Sequence, residues 1–239
     1  MGIKHVVAGV TIVAGGLLLT ACDWDEFADN KFSDQESLTQ QVSEVRFSND
    51  SGDVKITVGD TLEVRRTVGY GEDKPGKTYR VDGDALVLEE CRQRNCWVSY
   101  DVTVPEGTKV SGHVDSGSVE VAGVASANVA VESGDVTVRD VAGQVNASAQ
   151  SGNVELSGIG GVVVAGAESG DVSVRVTEAV AVTATTSSGN IDVAVPDDEY
   201  QVDIETANMD DIVNDLGDDE SGPKISLRAD SGSVTLKPV

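Results

Sequence analysis

The chain has 239 residues, of which 41 are acidic and 17 basic, so its formal net charge at pH 7 is −24. A protein that binds duplex nucleic acid neutralises phosphates with clustered Lys and Arg, so this balance argues against a nucleic-acid partner. Glycine is abundant (26 residues) and proline is scarce (5 residues). Such a composition is typical of short strands joined by glycine-bearing turns.

The first 22 residues predict an export signal. Lys4 precedes an apolar run over residues 6–19, which is shorter than the ~20 residues that a bilayer-spanning helix needs. The run ends in Leu-Thr-Ala-Cys, which resembles a bacterial lipobox. The resemblance implies cleavage after residues 1–21 and a lipid on Cys22, which would anchor the chain on the extracytoplasmic face of a bacterial membrane. The alternative is an ordinary signal peptide with an incidental cysteine.

The segment between the signal and the repeats is predicted in two parts. Residues 22–43 are acidic and polar, and we expect them to form a tether between lipid and domain. Residues 44–110 alternate like strands and contain tight turns, so we expect an N-terminal β cap region.

Cys91 and Cys96, in "CRQRNC", lie between two alternating segments of this cap region. Outside the cytoplasm a close cysteine pair usually forms a disulfide, here predicted to pin a hairpin loop. A free or redox-active pair is the alternative. A zinc site would need about four ligands, and His113 is the one histidine left once the signal is removed.

The body of the chain repeats a Ser-Gly pair. Copies begin at residues 116, 133, 151, 169 and 188, at steps of 17, 18, 18 and 19, with outlying copies at Ser51 and Ser231. Apolar residues alternate with polar ones on both sides of each pair, as in "ESGDVTVRD", which indicates strands with one buried face. A near-constant step of about 18 residues predicts an all-β fold, a right-handed parallel β-solenoid over residues 111–237.

The Ser-Gly pairs are predicted to be structural corners. Glycine adopts positive φ without steric cost, and a following Asp, Asn or Ser hydrogen-bonds nearby backbone. The alternative is a calcium ladder, but successive coils would place Ser118, Asp135, Asn153, Asp171 and Asn190 in one column, where no two aspartates are neighbours. The predicted corner glycines are Gly117, Gly134, Gly152, Gly170 and Gly189.

The spacing of the pairs widens before the last copy. The insertion over residues 196–224 is acidic and partly strand-like, and we expect a solvated loop or a short cap, with weak divalent-cation binding as the alternative. We predict no catalytic, cofactor-binding or metal-binding residues. His113 lies beside the first repeated corner and is expected to be an exposed strand residue, and aromatic platforms for sugar rings are missing from the repeats.

"YDVTVPEGTKVSGHVDSGSVEVAGV", followed by repeated Ser-Gly-Asp-Val units, resembles a bacterial family of β-strand-repeat envelope proteins labelled "putative adhesin", a domain of unknown function. The resemblance covers roughly residues 44–237 and carries over no catalytic residue. It implies an adhesin-like, non-enzymatic envelope lipoprotein whose partner is a protein or an envelope polymer. The alternatives are an envelope-stress sensor or scaffold that binds cationic peptides and, third, a polysaccharide-active enzyme.

Overall fold

The structure is a computed structural model and describes residues 30–207 and 211–239. The predicted signal peptide, the lipidation site Cys22 and the first part of the predicted tether lie outside the described residues. Within the described residues, no helix has the length and apolarity needed to cross a membrane.

The described residues form twenty-one strands, which are numbered along the chain. They are β1 (Asn30–Ser37), β2 (Glu44–Ser51), β3 (Val54–Val58), β4 (Glu63–Tyr70), β5 (Tyr79–Asp82), β6 (Ala85–Glu89), β7 (Trp97–Val104), β8 (Lys109–Ser116), β9 (Val119–Ala122), β10 (Ser126–Ser133), β11 (Val136–Arg139), β12 (Val145–Ser151), β13 (Val154–Ile159), β14 (Val163–Ser169), β15 (Val172–Val176), β16 (Val182–Ser188), β17 (Ile191–Val195), β18 (Gln201–Thr206), β19 (Ile212–Asn214), β20 (Lys224–Ala229) and β21 (Val234–Pro238).

The strands form two sheets. Sheet A has the order β1-β4-β7-β3-β9-β11-β13-β15-β17-β21-β19, and sheet B has the order β18-β20-β16-β14-β12-β10-β8-β2-β6-β5. From the pair β6 and β7 to the pair β18 and β19, one strand of each sheet makes a layer, and the strands of successive layers pair in parallel, as β10 does with β8 and β12. Beyond β6 and β7, the strands β4, β1 and β5 continue the sheets in antiparallel pairs. The predicted parallel β-solenoid is therefore confirmed. Its right-handed sense stays a prediction.

Two inward rows of apolar side chains fill the space between the sheets. Val136 stacks between Val119 and Val154 in sheet A, and all three are at most 1 % exposed. Ala147 and Ala149 face them from sheet B and are also buried. Alternation puts every second side chain inside, and the small alanines suit a thin coil. Buried residues also occupy the opposite corner of successive coils: Val124, Val141 and Ile159.

The layers at both ends of the stack are out of chain order. The layer of β6 and β7 lies outside that of β2 and β3, although it comes later in the chain. At the other end, β18 and β19 lie outside β20 and β21, although they come earlier. The acidic insertion therefore contributes an ordered outermost layer, and the wide step before Ser231 arises because the chain completes that layer before returning inward.

The structure corrects two expectations for the N-terminal part. Residues 30–37, assigned from sequence to the tether, form β1, which pairs antiparallel with β4 over its whole length. The hairpin expected around the cysteines is absent, because β6 pairs within sheet B and β7 within sheet A. The Cys91–Cys96 disulfide, with Cα atoms 5.7 Å apart, closes the crossover between the two sheets instead.

Candidate interaction surfaces

The corners of the solenoid stack in one column of glycines. The five predicted corner glycines have φ between +139° and +151°, and Gly52 (+112°) and Gly232 (+136°) extend the column at its two ends. A Cβ atom on Gly152 would lie 2.0 Å from the carbonyl oxygen of Gly134 in the previous layer. Glycine is therefore required at Gly152 both by the backbone conformation and by the close approach of the neighbouring chain.

The residue after each corner glycine belongs to a ladder of hydrogen bonds. In each layer its side-chain oxygen accepts a bond from the backbone N–H of the equivalent residue in the next layer. The ladder runs Asp53 to Ser118 (2.9 Å), Ser118 to Asp135 (3.3 Å), Asp135 to Asn153 (2.7 Å), Asn153 to Asp171 (3.0 Å), Asp171 to Asn190 (2.7 Å) and Asn190 to Ser233 (3.0 Å). Every aspartate in it has neutral neighbours, so the ladder avoids like-charge repulsion.

These contacts assign the repeated motif to the fold. The ladder oxygens are engaged by backbone N–H groups, so they do not converge on an open cation position. Within residues 30–207 and 211–239, no group of three or more His, Cys, Asp or Glu side chains is arranged to hold a metal ion. Sequence reasoning missed the end members Asp53 and Ser233, although "SGDV" at 51–54 and "SGSV" at 231–234 carried the same signal.

The outer face of sheet A carries charges that neutralise one another. Glu120 accepts a bond from the Lys55 ammonium at 3.1 Å and lies 3.6 Å from the guanidinium of Arg139. Arg139 also lies 3.8 Å from Glu155 in the next layer. Such exposed pairs are individually weak, but they leave little uncompensated charge on this face.

The outer face of sheet B carries a shallow groove of about 610 Å³ across β8, β10, β12, β14 and β16. Small residues form its floor, among them Ala130, Ser148 and Gly166. Glu132 and Glu168 stand exposed along one side. The groove runs along the solenoid axis because equivalent positions of successive layers lie directly beside one another.

A row of carboxylates extends that side of the groove. In the register of sheet B, Asp115 lies beside Asp50 on one neighbouring strand and beside Glu132 on the other. Three successive layers therefore each present an acidic side chain at this position. We call Asp50, Asp115, Glu132 and Glu168 the acidic row. At its N-terminal end a hydrogen bond with Asp50, and then the charge of Asp50, raises the pKa of Glu90.

His113 lies on the floor of the groove at its β8 end. Its Nε2 atom is 3.3 Å from the hydroxyl of Ser48 in the adjacent strand. A nucleophilic triad needs a third group that orients the imidazole, and no carboxylate bonds to His113 in the part of the chain that the structure describes. His113 is exposed, as the sequence predicted.

The cap holds a buried cation that sequence reasoning missed. Arg66 is 5 % exposed and donates to both carboxylate oxygens of Asp34, each at 2.8 Å. Its guanidinium lies 5.4 Å from the ring centroid of Phe32 and 5.8 Å from that of Tyr79. The hydrogen bond from Arg66 lowers the pKa of Asp34. The bidentate contact joins β1 to β4 and fixes β1 to the end of the solenoid.

A second set of polar contacts closes the same end. Glu36 accepts hydrogen bonds from Lys77 and from the Tyr79 hydroxyl, and these bonds lower its pKa. The hydroxyl oxygen of Tyr100 lies 2.7 Å from the carbonyl oxygens of Thr78 and of Glu89, and its single proton can be donated to either. Burial raises the pKa of Tyr100 to about 12. Every contact here serves the packing of the cap.

The chain is similar to a described protein family and to two solved bacterial proteins. A family profile described as Toastrack DUF4097 matches residues 37–237. A solved "putative cell adhesion protein" from Clostridium sporogenes is 12 % identical, with 88 % of this chain and 100 % of that chain covered and a TM-score of 0.32. A "putative adhesin" from Bacteroides fragilis is 11 % identical, with 89 % and 98 % covered and a TM-score of 0.37. No curated protein matches the chain.

The family match bears on the resemblance found in the sequence. The matched residues include the cap from β2 onward, all of the repeats and the acidic insertion. The predicted resemblance to a β-strand-repeat family of unknown function is thereby confirmed. Since the profile spans most of its length, the chain belongs to the Toastrack DUF4097 family.

Proposed function

We propose that the protein is a lipid-anchored component of the bacterial cell envelope that presents the outer faces of its solenoid as an adhesin-like interaction or structural surface, without catalysis. The observation that carries this proposal is that the corners and the outer faces of each repeat have different roles. The corner residues hold neighbouring layers together through the close packing of the glycine column and the hydrogen bonds of its ladder. The two outer faces carry side chains that the fold does not need, and we assign the interaction role to these faces.

Anchoring is supported by the distance from Cys22 to the cap. Strand β1 begins at Asn30, eight residues after Cys22. A fully extended chain of that length reaches at most about 26–29 Å, so a lipid on Cys22 would hold the cap close to the membrane. The stack of layers would then project from the cap towards the solvent or the cell wall.

The distribution of charge supports the same orientation. Residues 196–239, at the end far from the cap, contain twelve acidic and three basic residues. Anionic lipid headgroups repel such a surface within about a Debye length. The end that holds the acidic insertion would therefore face away from the membrane.

The test of anchoring is the substitution Cys22→Ala in the full chain. It is expected to abolish metabolic labelling with a fatty acid and either to release the protein from the membrane fraction or to leave the precursor uncleaved. Thr20→Ser keeps a small residue before the cysteine and serves as the control, with labelling retained. Membrane retention of the Cys22→Ala variant at the wild-type level would sink the anchoring proposal.

A second candidate function is a sensor or regulatory scaffold that binds cationic peptides. The observation that favours it is the formal charge of −24, of which an uncompensated part lies on sheet B. The two functions differ in salt dependence. Binding of a cationic peptide that vanishes at moderate ionic strength supports the sensor, whereas binding to an envelope polymer that survives salt supports the adhesin-like role.

A further inference from the structure

We propose that the groove on the outer face of sheet B, with the acidic row beside it, is the binding site for an extended cationic peptide. This inference rests on the second candidate function above, a scaffold that binds cationic peptides, and gives that function a location in the fold. The acidic row supplies charge recognition, and the small residues of the groove floor leave room for a peptide main chain.

Two columns of the same solenoid differ in the order of their charges. In the corner ladder each aspartate is separated from the next by a neutral residue, as Asn153 separates Asp135 from Asp171. In the acidic row, Asp50, Asp115 and Glu132 occupy three successive layers without a neutral residue between them. Neighbouring layers are ~4.8 Å apart, so like charges in this row repel and destabilise the free protein.

The described part of the chain does not compensate the negative charge of the acidic row. The side chains of Asp115, Glu132 and Glu168 have no hydrogen bond or ion pair to another described residue, whereas Glu120 and Glu155 on sheet A both have cationic partners. At the end of the row, the hydrogen bond with Asp50 and the charge of Asp50 raise the pKa of Glu90, so negative charge accumulates there too. The charge of Arg92 lowers that pKa but does not cancel the increase.

The shape of the groove also suits an extended peptide. Its floor consists of residues without long side chains over the layers of β10, β12 and β14, in contrast to Arg139 and Glu155 on the matching layers of sheet A. Glu132 and Glu168 lie two layers apart, about 10 Å along the groove, with Gln150 between them. A row of separate carboxylates spaced along an open channel suits a chain of cationic side chains better than one metal ion, which requires converging ligands.

The basic residues at the two ends of the groove contact other side chains. Arg228, in the layer beyond β16, is engaged by Glu205 and Asp230. His113 at the opposite end contacts Ser48. The titratable groups that face the channel are therefore His113, Glu132 and Glu168, with Asp115 beside His113 on the same strand.

The experiment measures binding of a short oligolysine peptide to the full chain in detergent, by calorimetry at low ionic strength, together with the melting temperature of the free protein. The double variant Asp115→Asn/Glu132→Gln is expected to weaken binding roughly tenfold. The same variant is expected to melt about 1–3 °C higher, because a like-charge contact is removed. Loss of a merely structural residue would lower the melting temperature. A higher melting temperature together with weaker binding therefore indicates a binding role.

Two further variants distinguish binding of the peptide in the groove from general electrostatic attraction to an acidic protein. Ser148→Trp fills the floor without changing the charge and is expected to abolish binding, while Trp is well tolerated on the outer face of a strand. Glu178→Gln/Asp197→Asn removes the same charge at two exposed positions away from the groove and is expected to leave binding within about twofold of the wild type.

The proposal is overturned if the wild type does not bind oligolysine, if Ser148→Trp binds as tightly as the wild type, or if the control double variant loses as much affinity as the row variant. A lower melting temperature for Asp115→Asn/Glu132→Gln would also contradict it. None of these outcomes changes fatty-acid labelling at Cys22, so failure of the groove and failure of the anchor are told apart.

Discussion

The Oδ1 atom of Asp135 accepts a hydrogen bond from the backbone N–H of Asn153, 2.7 Å away in the next layer. The side-chain amide of Asn153 lies 3.3 Å from the same oxygen. Asn153 in turn accepts from the N–H of Asp171 at 3.0 Å. Each residue of the ladder therefore accepts from the layer above it and donates to the layer below it, which fixes the register of the stack at its corner.

Replacing Asn153 with Asp should destabilise the protein at neutral pH. The substitution would place aspartates at three successive ladder positions and would remove the amide that donates to Asp135. We expect the free energy of unfolding to fall by about 1 kcal/mol at pH 7. Repulsion raises the pKa of the new carboxyl in the folded state, so the penalty should shrink as the pH falls through that raised value.

Asn146→Asp is the matched control for this change. Asn146 pairs with Asn128 and Val164, neither of which is charged. Chemical denaturation at pH 7 should show little change for this variant. Equal destabilisation by both substitutions would mean that the ladder is indifferent to charge order.

Gly152→Ala should destabilise far more than an ordinary glycine replacement. The new Cβ atom would meet the carbonyl oxygen of Gly134 at 2.0 Å, and the residue would keep a φ of +143°. We expect a loss of at least ~3 kcal/mol of unfolding free energy. Gly76→Ala is the control, since nothing lies within 4 Å of a Cβ atom there. A melting temperature equal to that of the wild type would rule out a closely packed corner at Gly152.

Acid should release β1 before the rest of the fold. Hydrogen bonds lower the pKa of Asp34 and of Glu36 below the ordinary values of 3.8 and 4.5. A lowered folded pKa contributes stability that is fully present above the ordinary value and is lost as the pH falls through the lowered one. Amide exchange of β1, measured against β12, should therefore accelerate selectively below about pH 4.

The double variant Asp34→Asn/Glu36→Gln tests the cause of that release. It removes both titrating groups and leaves Arg66 buried without a carboxylate partner. Exchange of β1 should be faster than in the wild type at every pH and nearly independent of pH after correction for intrinsic exchange. Preservation of the acid-induced step in this variant would assign the step to other groups.

Removing the disulfide should cost a moderate amount of stability. Cys91 and Cys96 are separated by five positions, and closing so short a loop is worth about 2 kcal/mol by the chain-entropy relation. Cys91→Ala/Cys96→Ser should lower the free energy of unfolding by that amount, with a corresponding fall in the denaturation midpoint, and reducing agent should shift the wild type equally. A midpoint that neither treatment moves would show that the crossover is ordered by its packing alone.

The repeats could be predicted from sequence because their information is local. Alternation around each Ser-Gly pair specifies strands, the 18-residue step specifies the coil, and the glycine specifies the corner. Val136 and Val138 are fully buried, as their spacing indicates. The groove on sheet B was not predicted, since small residues on an outer face are noticed only when the layers are stacked beside one another.

The ends of the solenoid could not be predicted in the same way. Alternation indicates that a segment is a strand, but it does not say which strand lies beside it. Residues 85–89 and 97–104 read as neighbours in a hairpin, yet the pairing partners of β6 and β7 lie in different sheets. Likewise, residues 30–37 carry little apolar signal because β1 is held by Asp34 and Glu36 through polar contacts.

The exchanged order of the terminal layers restricts how this fold can change in length. The layer of β6 and β7 and the layer of β18 and β19 are the outermost parallel layers, and β4 and β5 pair antiparallel on the outside of the first of them. Duplication or loss of a repeat at either end would break an exchanged pair. In the central layers, from β10 to β15, one unit of 17–19 residues could be added without disturbing either end. Each such unit would lengthen the protein by ~4.8 Å and extend every outer column by one position.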